Sequence, residues 1–477
     1  MRLTQQDIDG RSSHWLHQAL SEDRDLAPPL EGEVSADVCI VGGGYMGLWT
    51  AIRIKDADPS KSVVLIDRDI CGGGVSGRNS GMLLSAWSKV AALTALGSDT
   101  SALKVVAGSV AVIDEIADFC DAEGIDAWFD RVGWVWGATC AAQNGAWDDA
   151  LNRHDRHGLA PARRVSRGEI AALTGSDAMI AGVFDATAAT VHPGYLARGL
   201  RRAALRRGVV IHERTPMRRF SRQGDPVVET PGGKVRCGHL VLALNAHSAG
   251  IPELAPAIFN ISSDDVASQP MFERLAEAGY TRAPLMIDSR VFVAGWRVTR
   301  DGRLGAGVTG GFIGFGGRVD RRFDAPSPRV ADIRAALHAG HPKLADFPLD
   351  CAWNGAIDRT ATGLPLFGRF AGNDRILYGY GFSGNGIGMT CLGARILAGM
   401  ILGRPEALAD TPLVRPVTRG FPPEPIRFVG AHLVRGAVRA RDRAEHAGRT
   451  PGVVVRALAG LAPSGVTPSK ANIAGAS

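Results

Sequence analysis

The sequence predicts an α/β chain in which a discontinuous Rossmann-type domain is interrupted by an inserted α+β domain and followed by a C-terminal helical extension. Three observations predict it. A strand, a glycine-rich turn, a helix and a second strand follow one another from Asp37 to Ile66. Strand and helix patterns of the same kind recur near 180–250 and 350–403, separated by different material. The 477 residues are too many for one ordinary core, since domains hold roughly 100–200 residues each.

In chain order, residues 1–30 read as an N-terminal arm. Ser12-Ser13-His14-Trp15-Leu16 is a short amphipathic stretch, Glu22 and Asp23 follow, and Pro28-Pro29 breaks it. Val38-Cys39-Ile40-Val41 is an apolar run stopped by glycine, hence a buried strand; 42–47 turns, 48–55 is helical and 63–66 is the next strand. Strands are expected at 134–136 and 182–184. Helical spacing over 193–207 leads into a strand at 209–211, and another strand follows at 239–244. Helical pattern returns at 329–339, and a strand at 376–378 runs through a glycine-rich turn into a helix from about 387 to 402. The division expected is the arm, a dinucleotide domain at 31–90, 180–255 and 350–404, an inserted domain at 91–179 and 256–349, and the extension at 405–477.

Composition narrows the function classes. With 45% hydrophobic residues and 60 glycines the chain is folded and rich in tight turns. The net charge of +6 is no nucleic-acid signature: residues 405–477 hold ten Lys and Arg against five Asp and Glu, so five of the six net charges sit in the tail. The seven cysteines show no paired spacing for zinc or a redox couple and read as reduced, mostly buried thiols. No metal site is expected; His154 and His157 are three apart on what reads as a solvated helix, without a carboxylate or thiol cluster beside them. No apolar run follows a basic start and no stretch of about 18 apolar residues occurs, which predicts a cytoplasmic protein.

Gly42-Gly43-Gly44-Tyr45-Met46-Gly47 places G-x-G-x-x-G between a strand and a helix, the context that gives the pattern meaning. Gly42 allows the tight turn, Gly44 the approach of backbone to a pyrophosphate, and Gly47 close helix packing, with the helix N-terminus facing the phosphates. Asp67, followed by Arg68, ends the next strand; its carboxylate suits ribose hydroxyls and repels a 2′-phosphate, which favours FAD or NAD over NADP. The small-residue run Gly72 to Gly81 then offers amides and Ser76 to a cofactor extending beyond the first helix, as FAD does. A second glycine-rich turn, Gly381 to Thr390, opens a helix whose positive end would face the flavin pyrimidine; dipole effects reach about 2 kcal/mol, enough to tune a flavin and not to create its reactivity.

On these motifs the chain resembles the D-amino-acid oxidase superfamily of FAD enzymes, most of all its glycine oxidase and γ-glutamylputrescine oxidase branch. The matching pieces are VCIVGGGYMG, GGGVSGRNSG, HPGYLARGLRRAALRRGVVIHERTPM, LVLALNAHSAG, WRVTRDGRLGAG, WNGAIDRTATGLPLFG and GFSGNGIGMT, in family order from about 37 to 403. The resemblance implies a mainly antiparallel sheet in the inserted domain and a discontinuous FAD-binding domain around it. It assigns Gly42, Gly44, Gly47 and Asp67, with Tyr45, Met46 and Arg68 beside them, to the ADP half. Gly74, Ser76, Arg78, Asn79, Ser80 and Gly81 go to the pyrophosphate and one flavin face. Met217, at a strand position that touches adenine, and Ala243 with Asn245 complete the dinucleotide site, while Gly355 and Gly384, Asn385, Gly386 and Ile387 flank the isoalloxazine.

The chain departs from its relatives at four places. Thr362 stands at a commonly acidic position of T-x-D-G-L-P, and Asn385 where several amine-oxidising relatives place histidine. Monomeric sarcosine oxidases tether flavin through a cysteine that registers near Gly355, with Cys351 four residues upstream, so non-covalent FAD is expected. Those enzymes also carry a lysine that helps oxygen react, and Gly302-Arg303-Leu304-Gly305 shows none.

The implied reaction is hydride transfer from the carbon next to a neutral amine nitrogen, giving an imine that hydrolyses, with no obligatory protein base. Arg297 and Arg359 are the candidate carboxylate contacts, and Asn385 a third substrate contact. The expected partners are a small amine or amino acid and either oxygen or another electron acceptor. Two alternatives stay open: a dehydrogenase feeding a quinone or protein, and a flavin-binding relay subunit that oxidises no amine. His192 reads as a polar helix start, and the tryptophans at 128, 134 and 136 as core or pocket. In the tail, Arg435, Arg439 and Arg443 lie opposite Leu433 and Ala437; the reading preferred over membrane contact is docking on the parent fold with a solvated arginine face.

Overall fold

The computed structural model describes residues 1–404 and 410–463, so 405–409 and 464–477 of the expected extension lie outside the described residues. One sheet carries five parallel strands in the order Val210–His212, Val63–Ile66, Gly32–Val41, Gly233–Leu242, Asn373–Tyr380, with Leu366–Phe370 antiparallel at the edge. Gly32 pairs with Gly233 and Val41 with Leu242, so the two central strands end level. Val63–Ile66 is buried throughout without alternation, as a parallel strand covered on both faces must be. Helices Tyr45–Ala57, Pro193–Arg206 and Ile387–Leu402 cover one face. The other packs on a branch of short strands, Arg219–Phe220 and Val227–Glu229, and on residues around Ile251–Ile258. His192 caps Pro193–Arg206, its Nδ1 accepting from the Tyr195 amide at 3.0 Å, with Pro193 in the first turn.

The second sheet has eight strands in the order Leu349–Thr360, Ile258–Ser268, Leu304–Val308, Ala294–Val298, Leu285–Asp288, Trp134–Ala138, Ala181–Asp185, Arg163–Ser166, antiparallel except where Leu285–Asp288 meets Trp134–Ala138. Ala181–Asp185 and Leu349–Thr360 therefore hydrogen-bond within the inserted sheet, on the far side of the boundaries expected at 180 and 350. Apolar pattern announces a strand, but the ladder it joins is decided by distant partners. Leu349–Thr360 leads through a five-residue turn into Leu366–Phe370 and so ties the two sheets together.

The arm folds onto this body. Helix His14–Glu22 packs on Pro193–Arg206, and Leu3, Ile8, Leu16, Leu20 and Leu26 form a small core with Ile70. Asp23 pairs with Arg198 at 3.0 Å and Arg202 at 2.7 Å, while buried Glu213 accepts from the Ala27 and Cys71 amides, both at 2.7 Å, and pairs with Arg201 at 2.8 Å. Removing such partners would leave a buried polar group uncompensated. His14 also brings a donor atom to within 4.8 Å of Asp350 and Cys351, although Arg303 already holds Asp350 at 2.5 Å.

One expectation fails here and another holds in part. His154 is buried in helix Asp148–Asp155 with Nε2 3.0 Å from Trp87 O, and His157 lies beyond the helix next to Asp99, so the pair shares no solvated face. In helix Ile426–His446 docking is observed with Ala437 buried and Arg439 and Arg443 exposed, as expected, whereas Leu433 and Arg435 depart from that division of faces. Arg435 and Arg439 donate to the carbonyls of Gly311 and Gly310, Ala437 and Val438 pack against Ala459 and Phe292, and Leu433 is 58% exposed. Free carbonyls in the turn Gly310-Gly311 attract the guanidinium groups, and long arginine stems cover apolar surface. Among the described residues no helix is long and apolar enough to cross a membrane.

Candidate active site

The turn after Val41 makes a cradle of backbone. Gly42 has φ +115°, and a Cβ on it would lie 2.4 Å from the Ala243 carbonyl oxygen; a Cβ on Gly47 would lie 1.9 Å from Gly42 O. Only glycine fits at either. The start of helix Tyr45–Ala57 is thereby held over the carboxyl ends of the two central strands, where open α/β sheets bind ligands. Asp67 Oδ2 accepts from the Gly43 amide at 2.7 Å and Ser76 Oγ from the Tyr45 amide at 2.9 Å, which fixes both neighbouring loops to the cradle. Asn79 shapes the second loop: its Nδ2 donates to Ser76 O at 2.9 Å and its Oδ1 accepts from the Gly81 amide at 2.9 Å.

From the cradle a cavity runs between the 76–89 segment, the 382–387 turn and the inner face of the second sheet. Its apolar wall includes Met82, Leu84, Ile287, Val293 and Phe382. Leu349–Thr360 contributes Gly355, Ile357 and Arg359 to it, and Asp358 turns its carboxylate to the 381–383 turn, accepting from the Gly381 amide at 2.5 Å. Burial pushes the Asp358 carboxyl up to about 7, against the pull of the Gly381, Ser383 and Phe382 amides. It anchors the turn from which helix Ile387–Leu402 starts.

Two cations reach this cavity. Lys89 follows a short turn at Trp87 and is 8% exposed; burial, helped by nearby Arg359, pushes its ammonium down to about 7. Arg359 is 5% exposed and burial lowers it to about 10, so it stays charged at neutral pH. Ser85 Oγ and Trp134 Nε1 lie buried on the same wall with no hydrogen-bond partner among the described residues.

Residues 37–400 match the family described as FAD dependent oxidoreductase. The chain belongs to that family. It is 26% identical over 393 residues to γ-glutamylputrescine oxidoreductase of Escherichia coli, covering 80% of this chain and 88% of the relative. Glycine oxidase of Pseudomonas aeruginosa is 27% identical over 388 residues, covering 80% and 98%. Among solved structures, glycine oxidase from Geobacillus kaustophilus superposes with a TM-score of 0.67 at 20% identity, covering 81% of this chain and all of that one.

The protein is thus an FAD-dependent oxidoreductase, and the site fits the cofactor: Tyr45 at the helix start, Ser76 to Ser80 and the Gly384 to Ile387 turn border one elongated cavity. Of the residues assigned from sequence, Tyr45, Ser76, Arg78, Asn79, Ser80, Asn245, Gly355, Gly384, Asn385, Gly386, Ile387 and Arg359 line the cavity. Several sit differently. Met46 is buried in the helical core, Met217 lies in the connector before Arg219–Phe220 and outside any strand, and Arg68 is exposed at the end of its strand. Arg78 spends its guanidinium on Asp324 at 2.5 Å and Phe323 O at 3.1 Å. Arg297 lies outside this cavity's lining: Nε donates to Ser80 O at 2.6 Å, Nη2 to Val191 O at 3.0 Å, and the group stacks 5.1 Å from the Trp15 ring.

Lys89, Asp358 and Asp265 were absent from that assignment. Lys89 is a lone charge inside the apolar run Ala86 to Leu93, and Asp264-Asp265 interrupt a β-pattern, so each carried a faint signal.

Proposed function

We propose that this enzyme oxidises an amine or amino acid that also carries an anionic group, using non-covalently bound FAD. One observation carries the reading: Lys89 and Arg359, both buried, meet in the cavity that Gly355 and Gly384 to Ile387 also line. Two cations in a low-dielectric wall favour an anion such as a carboxylate, and arginine suits its two oxygens. Bound FAD supplies the hydride acceptor for the carbon next to the amine nitrogen, and the resulting imine hydrolyses in water. The chain holds the substrate's acidic end, keeps the reacting carbon against apolar walls and excludes water. The names of the relatives, glycine oxidase and γ-glutamylputrescine oxidoreductase, agree with such substrates. Gly355 offers no thiol for a tether, and Cys351 lies four residues away along the strand.

A second reading concerns the electron acceptor. The stretch Gly302-Arg303-Leu304-Gly305, where relatives carry a lysine that aids oxygen, has none, which favours an acceptor other than oxygen.

The test is anaerobic mixing of the holoenzyme with glycine, sarcosine, γ-glutamylputrescine and iminodiacetate, beside putrescine and pyrrolidine, which lack an acidic group. Bleaching of the flavin bands by the acidic amines alone is expected. Bleaching by the amines without an acidic group alone would overturn the anion assignment, and intact bands throughout would favour the relay subunit. Acid precipitation should leave the flavin in the supernatant. Oxygen uptake on turnover separates the two acceptors.

A further inference from the structure

The geometry points to Asp265 as the group that takes the proton from the substrate's ammonium, a role that rests on the amine-oxidation reading above. Asp264 and Asp265 are consecutive on Ile258–Ser268, so their side chains leave opposite faces of the sheet. Asp264 faces away from the cavity and is satisfied there: Arg329 donates to it at 3.0 Å, Ser327 at 2.7 Å and Ser262 at 3.1 Å. Asp265 faces the cavity, is 5% exposed, and receives one hydrogen bond, from Ser80 Oγ to Oδ1 at 2.5 Å. Among the described residues its Oδ2 accepts none.

The surroundings are arranged to keep that carboxylate in place. The paired residue on Leu304–Val308 is Gly307, and a Cβ there would lie 2.5 Å from Asp265 Oδ1. Ser80, which holds Oδ1, is itself held through its carbonyl by Arg297. A structural acid would be expected to have its partners, as Asp264 has. Asp265 has one hydrogen bond, on Oδ1, and it lines the cavity.

Amines hold their proton to about pH 10, and an ammonium has no lone pair with which to expel hydride from its carbon. One proton must leave first. In the step proposed, the Asp265 carboxylate accepts one proton from R–NH3+, giving a carboxylic acid and R–NH2 with the N–H electron pair retained on nitrogen. Hydride then departs from carbon to FAD, the family's oxidant. The charged groups facing Asp265 are Arg297 from Ala294–Val298, which favours the carboxylate, and Asp264 from its own strand, which opposes it; Ser80 favours the charged form and burial the neutral one. Leu349–Thr360 presents Trp353 opposite it, and Arg78 from the adjoining loop is committed to Asp324. The outcome is a carboxyl pushed up to about 7, suited to exchanging protons at neutral pH.

Stopped-flow reduction of the holoenzyme by glycine, sarcosine and γ-glutamylputrescine, without oxygen and from pH 5.5 to 9.5, tests this. For an amine that bleaches the wild type, the rate at saturation should rise with pH to a midpoint near 7 and then level. D265N should retain FAD, react about 100-fold more slowly at pH 7.5, and rise steadily toward pH 9.5 as free amine accumulates. S80A, which loses the bond favouring the charged form, should move the wild-type midpoint upward, and it carries the test if D265N does not fold. A D265N rate within threefold of wild type with an unchanged profile, or an S80A midpoint that stays put, would overturn the role. If no amine bleaches even the wild type, the amine-oxidation reading falls and this role with it; bleaching of wild type and D265N alike sinks the role alone.

Discussion

Beside the cavity, at the carboxyl ends of the parallel strands, the cradle is built of backbone, with Gly42 and Gly47 packed so closely that no side chain fits between turn, helix and Ala243. Across the cavity the wall is side chains, Asp265, Arg359 and Trp134 among them, projecting from separate strands of the inserted sheet, with Lys89 reaching in from a neighbouring turn. A cofactor common to a family is held by main-chain geometry that one short motif can encode. The substrate is held by groups that are replaceable one at a time. The first wall should fail abruptly when altered and the second by degrees.

The largest effect is expected at the cradle. Gly47→Ala puts a Cβ 1.9 Å from Gly42 O, which backbone cannot accommodate, and the purified protein should carry no flavin, read from its visible absorbance relative to protein. Gly47→Ala with full FAD content would mean the two walls are not built differently after all. Next, Arg359→Met and Lys89→Met should keep FAD yet raise KM for an acidic amine by about 100-fold, as loss of a charged hydrogen bond does, with little change for an amine lacking the acid. Equal losses for both substrate types would remove the distinction.

The comparison sharpens with pH. Lys89, at about 7, loses its charge as pH rises, while Asp265, also at about 7, gains the base form. The wild-type profile of kcat/KM should therefore be a narrow bell centred near neutrality; Lys89→Met should abolish the alkaline limb and leave the acid limb. A smaller effect concerns stability. Lys89 titrates at about 7 in the fold against an ordinary 10.5, so the unfolded chain holds the extra proton between those values; stability is full above pH 10.5 and declines as pH falls toward 7. Lys89→Met escapes this loss and should melt higher than wild type at pH 7, by roughly 1–3 kcal/mol. The smallest change is at the surface: Leu433→Ser, on the outward face of Ile426–His446, should alter stability by less than about 0.5 kcal/mol.

The same contrast governs what could be read from sequence. Gly42 to Gly47, Ser76 to Gly81 and Gly384 to Ile387 each lie within one short motif whose local order is its function, and the structure brings most of them to the cavity. Helix Ile387–Leu402 and strand Val63–Ile66 are local patterns and matched. Ala181–Asp185 was legible as a strand but not as a member of the inserted sheet, because pairing depends on Trp134–Ala138 some 45 residues earlier. Arg297 looked like a substrate arginine on the general affinity of guanidinium for carboxylate; two carbonyls, Ser80 and Val191, claim it. Lys89 and Asp265 become meaningful only when a turn near residue 87 and a strand near 265 face one cavity. Leu433 was placed on the wrong face since arginine stems can cover apolar surface while leucine is left outside.

The docked arm bears on how the chain comes into being. Residues 1–30 are translated before everything they touch: Ala27 waits for Glu213, 186 positions later, and Trp15 for Arg297 and Trp353. Until then its leucines have only one another and Ile70 to pack on. Docking of the arm is consequently expected to be completed only once Arg297 and Trp353 are in place. A bulky fusion ahead of Met1 would act on that last step, lowering the yield of flavin-loaded protein while leaving the turnover of molecules that complete it unchanged.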